Sequence, residues 1–243
     1  MKLRYFLRPG VLIALLFAVA SGQDTDLKNR FEVEYKAWKT YVDANSVSDL
    51  AIFNNHMRAI IQLGIPALPL IFEKMEKNEY RFDFQLEVAI PPITRKFFEI
   101  EDWPKGKRGD AITKAALFLD WWKNGIKETK NTFDRYYSAR KKFLEENNTE
   151  EAEKQLNRIR NLGIVAIPYM IDKIKEGDLV FIETIAELTN QYPSKYTYSE
   201  GDSAFIGNLN ELTNQGLSAN ASKDECLEWW SKNSSKYTIV KAE

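Results

Sequence analysis

Two stretches of this chain are nearly the same sentence, and that repetition limits the fold more than any other feature. Leu63-Gly-Ile-Pro-Ala-Leu-Pro-Leu-Ile-Phe-Glu-Lys-Met75 returns 99 residues later as Leu162-Gly-Ile-Val-Ala-Ile-Pro-Tyr-Met-Ile-Asp-Lys-Ile174. Positions match or change mildly, apart from Pro66 for Val165 and Leu70 for Tyr169. Near the end of each half, Leu119-Asp-Trp-Trp-Lys-Asn124 pairs with Leu227-Glu-Trp-Trp-Ser-Lys232, offset by 108 residues. A weaker pair opens each half, Tyr35-Lys-Ala-Trp-Lys-Thr-Tyr41 and Tyr137-Ser-Ala-Arg-Lys-Lys-Phe143, offset by 102. Three landmarks in one order imply two diverged copies of one unit with loops of different length.

The repeated wording is helical. Phe31, Tyr35, Trp38 and Val42 recur at helical spacing over Phe31–Val42. Ser48 and Asp49 suit the N-cap of a second helix running to about Leu63, with Ile52, Met57, Ile60 and Ile61 facing inward. Gly64 and Gly163 suit the left-handed position that ends a helix. Pro69 and Pro168 follow five residues later, where the first turn of a new helix tolerates a missing N–H donor. Further helices are expected around Phe84–Ile93 and Leu179–Leu188. Trp103-Pro-Lys-Gly-Lys-Arg-Gly-Asp110 reads as a loop, as does most of Gln191–Lys223, with a short helix expected at Asp202–Leu212. The copies are expected to meet near Gly125–Asn131. The fold class expected is therefore all-α, two tandem helical units forming a short α-solenoid.

The first residues speak to compartment. Lys2, Arg4 and Arg8 precede the apolar run Val11–Ala20 and the small residues Ser21 and Gly22, the pattern of a secretory leader cut after Ala20 or Gly22. A membrane anchor would need about 20 apolar residues, and Gln23-Asp-Thr-Asp26 ends this run sooner. The expected organisation is a signal peptide at 1–22, a first unit at 23–127, and a second at 128–243 with a longer insertion at 191–223. Export, periplasmic or secreted, is the expected localisation. Without the leader's three cations, 31 basic residues face 35 acidic ones, a net charge of −4. That balance argues against nucleic acid as a partner. No later stretch is apolar enough to span a bilayer.

Catalytic signals are sparse. Cys226 is the one cysteine and His56 the one histidine, which excludes an internal disulfide and disfavours a His/Cys zinc site or a His-based triad. No catalytic, cofactor or metal residue is expected. Glu99 with Glu101, Glu145 with Glu146, Glu150 with Glu151, and Glu183 with Glu187 could in principle serve an acid/base hydrolase, but acidic pairs are ordinary on helix surfaces. The Trp pairs read as packing anchors because they recur, and Cys226 as a small core residue. Trp103, Lys105, Lys107 and Arg108 are the candidate partner-binding residues, an unrepeated aromatic beside a basic cluster. Asn147-Asn-Thr149, Asn220-Ala-Ser222 and Asn233-Ser-Ser235 fit the glycosylation triplet.

The Leu-Gly-x-x-Ala-x-Pro turn, continued by Phe72 and Met75 or by Ile171 and Ile174, resembles the helical hairpin of HEAT-like repeats. With a later helix in each copy expected to end in Trp-Trp, it resembles uncharacterised exported bacterial proteins carrying such repeats, over most of residues 31–233. The resemblance implies a stacked helical scaffold for a protein partner, with no catalytic residue to carry over. Only two copies and irregular insertions argue against a strongly curved superhelix. The alternative function is a carbohydrate- or cell-envelope-binding module that uses exposed aromatics such as Trp103.

Overall fold

The computed structural model describes residues 9–45, 54–190, 216–237 and 239. The Ser48–Asp49 cap, the Asp202–Leu212 helix and most of the 191–223 insertion lie outside the described residues. Among those described, every regular element is helical and none is a strand.

A long helix α1, Pro9–Asn45, places the apolar run of the expected leader and Phe31–Val42 on one continuous backbone. No helix among the described residues is long and apolar enough to cross a membrane. Phe31, Tyr35, Trp38 and Val42 are all buried, as their spacing requires. They pack on α2, Asn55–Gln62, whose N-cap Asn54 accepts from the His56 and Met57 amides. The chain then takes a 3-10 turn at Ile65–Ala67 and enters α3, Leu68–Lys77, with proline in its first turn. Residues 126–176 follow the same order of elements. Helix α6, Ile126–Glu145, leads to α7, Thr149–Asn161, a 3-10 turn at Ile164–Ala166, and α8, Ile167–Glu176, again with proline in the first turn.

Equivalent residues take equivalent geometry. Phe31 stacks on Tyr35 with ring centres 5.9 Å apart, and Phe133 on Tyr137 at 6.0 Å. Lys74 lies 4.6 Å from the Tyr35 ring centre and Lys173 5.0 Å from that of Tyr137. Each tyrosine hydroxyl meets an aspartate from beyond the second helix that follows, Asp83 for Tyr35 and Asp178 for Tyr137.

Three expectations need correction. Gly64 (φ 70°, ψ −155°) and Gly163 (φ 79°, ψ −162°) have positive φ, but in an extended region open essentially to glycine rather than in the left-handed helical one. The helix expected at Phe84–Ile93 is a 3-10 run, Asp83–Ala89, followed by a short α4, Ile90–Thr94. Pro91 and Pro92 lack the N–H donors that an uninterrupted α-helix would require there. Its counterpart α9, Val180–Asn190, contains no proline and is regular. The Trp pairs do not end helices. Trp121-Trp122 opens a π-helical turn, Trp121–Gly125, that joins α5, Ala111–Asp120, to α6 without a break. Trp229-Trp230 lies in the middle of α10, Lys223–Tyr237. Where the copies are expected to meet, at Gly125–Asn131, the helix runs on without a break. A side chain at Gly125 would stand 2.8 Å from the Trp121 ring, so glycine here accommodates the indole within a continuous helix.

Two apolar cores result. The first holds Trp38, Phe72, Leu86, Ile90, Phe118 and Trp121, and the second Phe133, Ile159, Ile171, Ile174, Phe181 and Cys226. Trp122 stacks on Phe72 at 4.4 Å, while Trp229 and Trp230 pack against the second core. Burial pushes the Cys226 thiol up to about 11. The matching turns interlock: Ile65 reaches the second core and Val165 the first.

Gly163 marks where the halves touch backbone to backbone. A Cβ on it would lie 2.4 Å from the Thr94 carbonyl oxygen and 2.7 Å from the Lys96 nitrogen, whereas one on Gly64 would meet nothing closer than 3.9 Å. Gly64→Ala should cost about 1–3 kcal/mol from backbone strain alone, and Gly163→Ala at least about 2 kcal/mol more from the added clash. Urea unfolding of the two variants checks this; equal losses would mean that the backbone contact carries no weight.

Candidate functional site

The residues that pin the halves together also shape a cleft. Helix α4 ends at Arg95, whose left-handed conformation (φ 57°) turns the chain out of the helix. Its guanidinium Nε donates to the Leu188 carbonyl at the end of α9, 3.3 Å away. Two residues on, the Phe97 amide donates to the Asn161 carbonyl at the end of α7, at 3.0 Å. Asn161 returns the contact through its side-chain amide, which donates to Glu99 Oε1 at 2.8 Å. Glu99 and Asp102 cap a short 3-10 turn, Ile100–Asp102, through each other's backbone amides. An irregular stretch between two helices thus has its polar groups satisfied by the facing half.

Between this stretch and α6 lies a cleft of about 330 Å³, lined by Lys96, Glu99, Asp102, Trp121, Arg135, Tyr136 and Arg158 among others. It adjoins a second hollow of about 500 Å³ that shares Glu99, Asp102, Arg135, Tyr136 and Arg158 and extends past Phe143 and Gln155. Tyr136 is half-buried between two cations: the Arg135 guanidinium lies 5.0 Å from its ring centre and that of Arg158 5.8 Å. Arg158 also approaches Glu101 at 3.5 Å. Glu99 and Asp102 line the same hollow.

Lys96 is the unusual group. It is only 8% exposed. Its ammonium donates to the Phe97 carbonyl at 2.7 Å and lies 4.7 Å from the Phe98 ring centre, with no carboxylate at ion-pair distance among the described residues. Burial pushes its pKa down to about 8, and the charges of Asp102 and Glu99 offset that only in part.

The sequence candidates lie elsewhere. Trp103 is half-buried, and Lys105, Lys107 and Arg108 are exposed on the loop leading to α5, whose turns close through Lys107 N–H to Pro104 O and Asp110 N–H to Lys107 O. None of the four lines either hollow. His56 is partly exposed and bonded to Glu34 at 2.9 Å, a clamp between α1 and α2. Of the paired carboxylates, Glu99 and Glu101 reach the cleft; Glu150 and Glu151 pair with Lys154, Glu187 with Arg160, and Glu183 is exposed. Asn148, inside one glycosylation triplet, caps α7. Lys96, Arg135, Tyr136 and Arg158 carried no signal in the sequence beyond a basic pair, Arg95-Lys96, between a proline pair and two phenylalanines. No protein-family model, curated protein or solved structure matches the chain.

The depressed lysine fixes a sign for pH dependence. Below about pH 8 the folded chain bears the cost of a buried ammonium. The unfolded chain holds the same charge in water, so this cost disappears only as pH rises towards about 10.4, the ordinary lysine value. Lys96→Met should therefore stabilise the protein by about 3 kcal/mol at pH 7 and by much less near pH 10. Denaturant melts at the two pH values read the difference; a pH-independent effect would mean that the amine is not desolvated.

Proposed function

We propose that the protein is a non-enzymatic, exported scaffold whose halves stack as two HEAT-like units, and that the cleft at their junction receives an extended segment of a protein partner. The observation that carries this reading is the position of Tyr136, with Arg135 and Arg158 over its ring and Glu99, Glu101 and Asp102 lining the same hollow. Tyrosine and arginine supply much of the energy at protein interfaces because they combine contact area with directed hydrogen bonding. Carboxylates and guanidiniums in one hollow suit a segment carrying both signs of charge, not a polyanion. The stacking is supported by the matched turns, aromatic pairs and Tyr–Asp contacts of the two halves. Export is supported by the charged, apolar and small-residue order of the first 22 residues. Scaffolds of this kind act by geometry, so the absence of a histidine or cysteine cluster costs them nothing.

Placing a photoreactive amino acid at exposed Arg135 and irradiating in envelope extract should yield one dominant crosslinked protein. Binding of that protein to the wild-type chain should weaken at least tenfold in Arg135→Glu, with helical circular dichroism unchanged. Unchanged affinity in Arg135→Glu would contradict the cleft as the docking site. Loss of binding on Trp103→Ala together with competition by soluble glycans would favour a carbohydrate-binding module instead.

A further inference from the structure

The amine of Lys96 has a use that partner docking does not require. It lines the 330 Å³ cleft, it is almost wholly removed from water, and it meets no carboxylate at ion-pair distance among the described residues. Among the described residues its hydrogen bond goes to a backbone carbonyl, that of Phe97. We propose that Lys96 is a carbonyl-capturing amine, forming an imine with a small neutral aldehyde or ketone that enters this cleft.

The charged side chains that line the cleft with Lys96 come from four elements. Glu99 and Asp102 lie on its own stretch, Asp120 ends α5, and Glu128, Arg135 and Arg158 project from α6 and α7. Both signs are present, so neither an anion nor a cation meets a one-signed field, and a neutral electrophile is the ligand class favoured. Only an unprotonated amine attacks a carbonyl, and desolvation is how proteins supply one near neutrality. With the Lys96 value pushed down to about 8, roughly a quarter of the amine is neutral at pH 7.5, against about one part in a thousand for a lysine of ordinary value. The Phe98 ring favours the ammonium, but burial outweighs it.

The step balances without an oxidant or reductant. The nitrogen lone pair forms a bond to the carbonyl carbon, and the displaced π pair on oxygen takes up a proton. The nitrogen then loses its two protons as the C=N bond forms, and the oxygen leaves as water. The imine hydrolyses by the reverse path.

The test uses the full chain with propanal and sodium cyanoborohydride at pH 7.5, the hydride fixing each imine as a propylamine. Peptide mass mapping then compares Lys96 with exposed Lys105 and Lys107. The expected result is at least tenfold faster labelling of Lys96, a rate that levels off above about pH 8, and loss of the preference in urea. Labelling of Lys96 no faster than of Lys105 and Lys107 would overturn the proposal, and so would a preference that persists in urea. Lys96→Arg should lose the fast-labelling site while keeping the helical spectrum. The readout is mass at one residue and needs no partner protein, so its outcome is independent of the docking experiment.

Discussion

The structure depends on one close approach of backbone to backbone. Gly163 has no side chain, so the chain leaving α7 lies against Thr94, Arg95 and Lys96 at a distance that no Cβ would permit. That approach brings the Phe97 amide to the Asn161 carbonyl and Arg95 to the end of α9. Without it the polar groups of residues 95–99 would face the other half unsatisfied, a cost of about 1–3 kcal/mol for each such buried group. The joint is polar and local, flanked by two apolar cores that are each built within one half. Among the described residues, Ile65 packs against both cores, and Val165 and Ile239 reach from the second half to the first.

The cleft follows from the same joint. Because residues 96–102 leave α4 as an irregular stretch and not as a helix, they cannot pack flush against the cylinder of α6. The space left is lined by whichever side chains face it from both halves. Burying Lys96 there carries an electrostatic cost that an apolar residue would avoid, and Phe98 and the Phe97 carbonyl offset only part of it. A costly group beside a cavity is where functional chemistry is most often found, which is why the amine and not the exposed basic loop is the focus of this site.

Much of the helical framework was legible in the sequence. All four apolar positions of Phe31–Val42 are buried, and both Leu-Gly-x-x-Ala-x-Pro segments turn from one helix into the next with proline in its first turn. Both kinds of signal are local, set by helical periodicity and by the missing donor of proline. The failures are equally local in origin. Pro91-Pro92 interrupts from within the helical pattern of Phe84–Ile93, and Gly125 accommodates an indole inside a π-turn of a continuous helix. The site is a different matter. Lys96, Tyr136 and Arg158 are far apart in the chain and belong to three elements, so no spacing rule joins them. Gly64 and Gly163 read identically in sequence and have nearly the same backbone angles, yet only Gly163 is hemmed in by another backbone.

The residue 94–97 and 161–163 joint holds the two halves as one body. Native-state hydrogen exchange at the Phe97 amide tests it most directly. That amide, donating to Asn161, should exchange as slowly as those inside α3 and α8, opening only with global unfolding. Exchange at the fast rate of the Trp103–Asp110 loop amides would contradict it, meaning that the joint opens while the two cores stay folded.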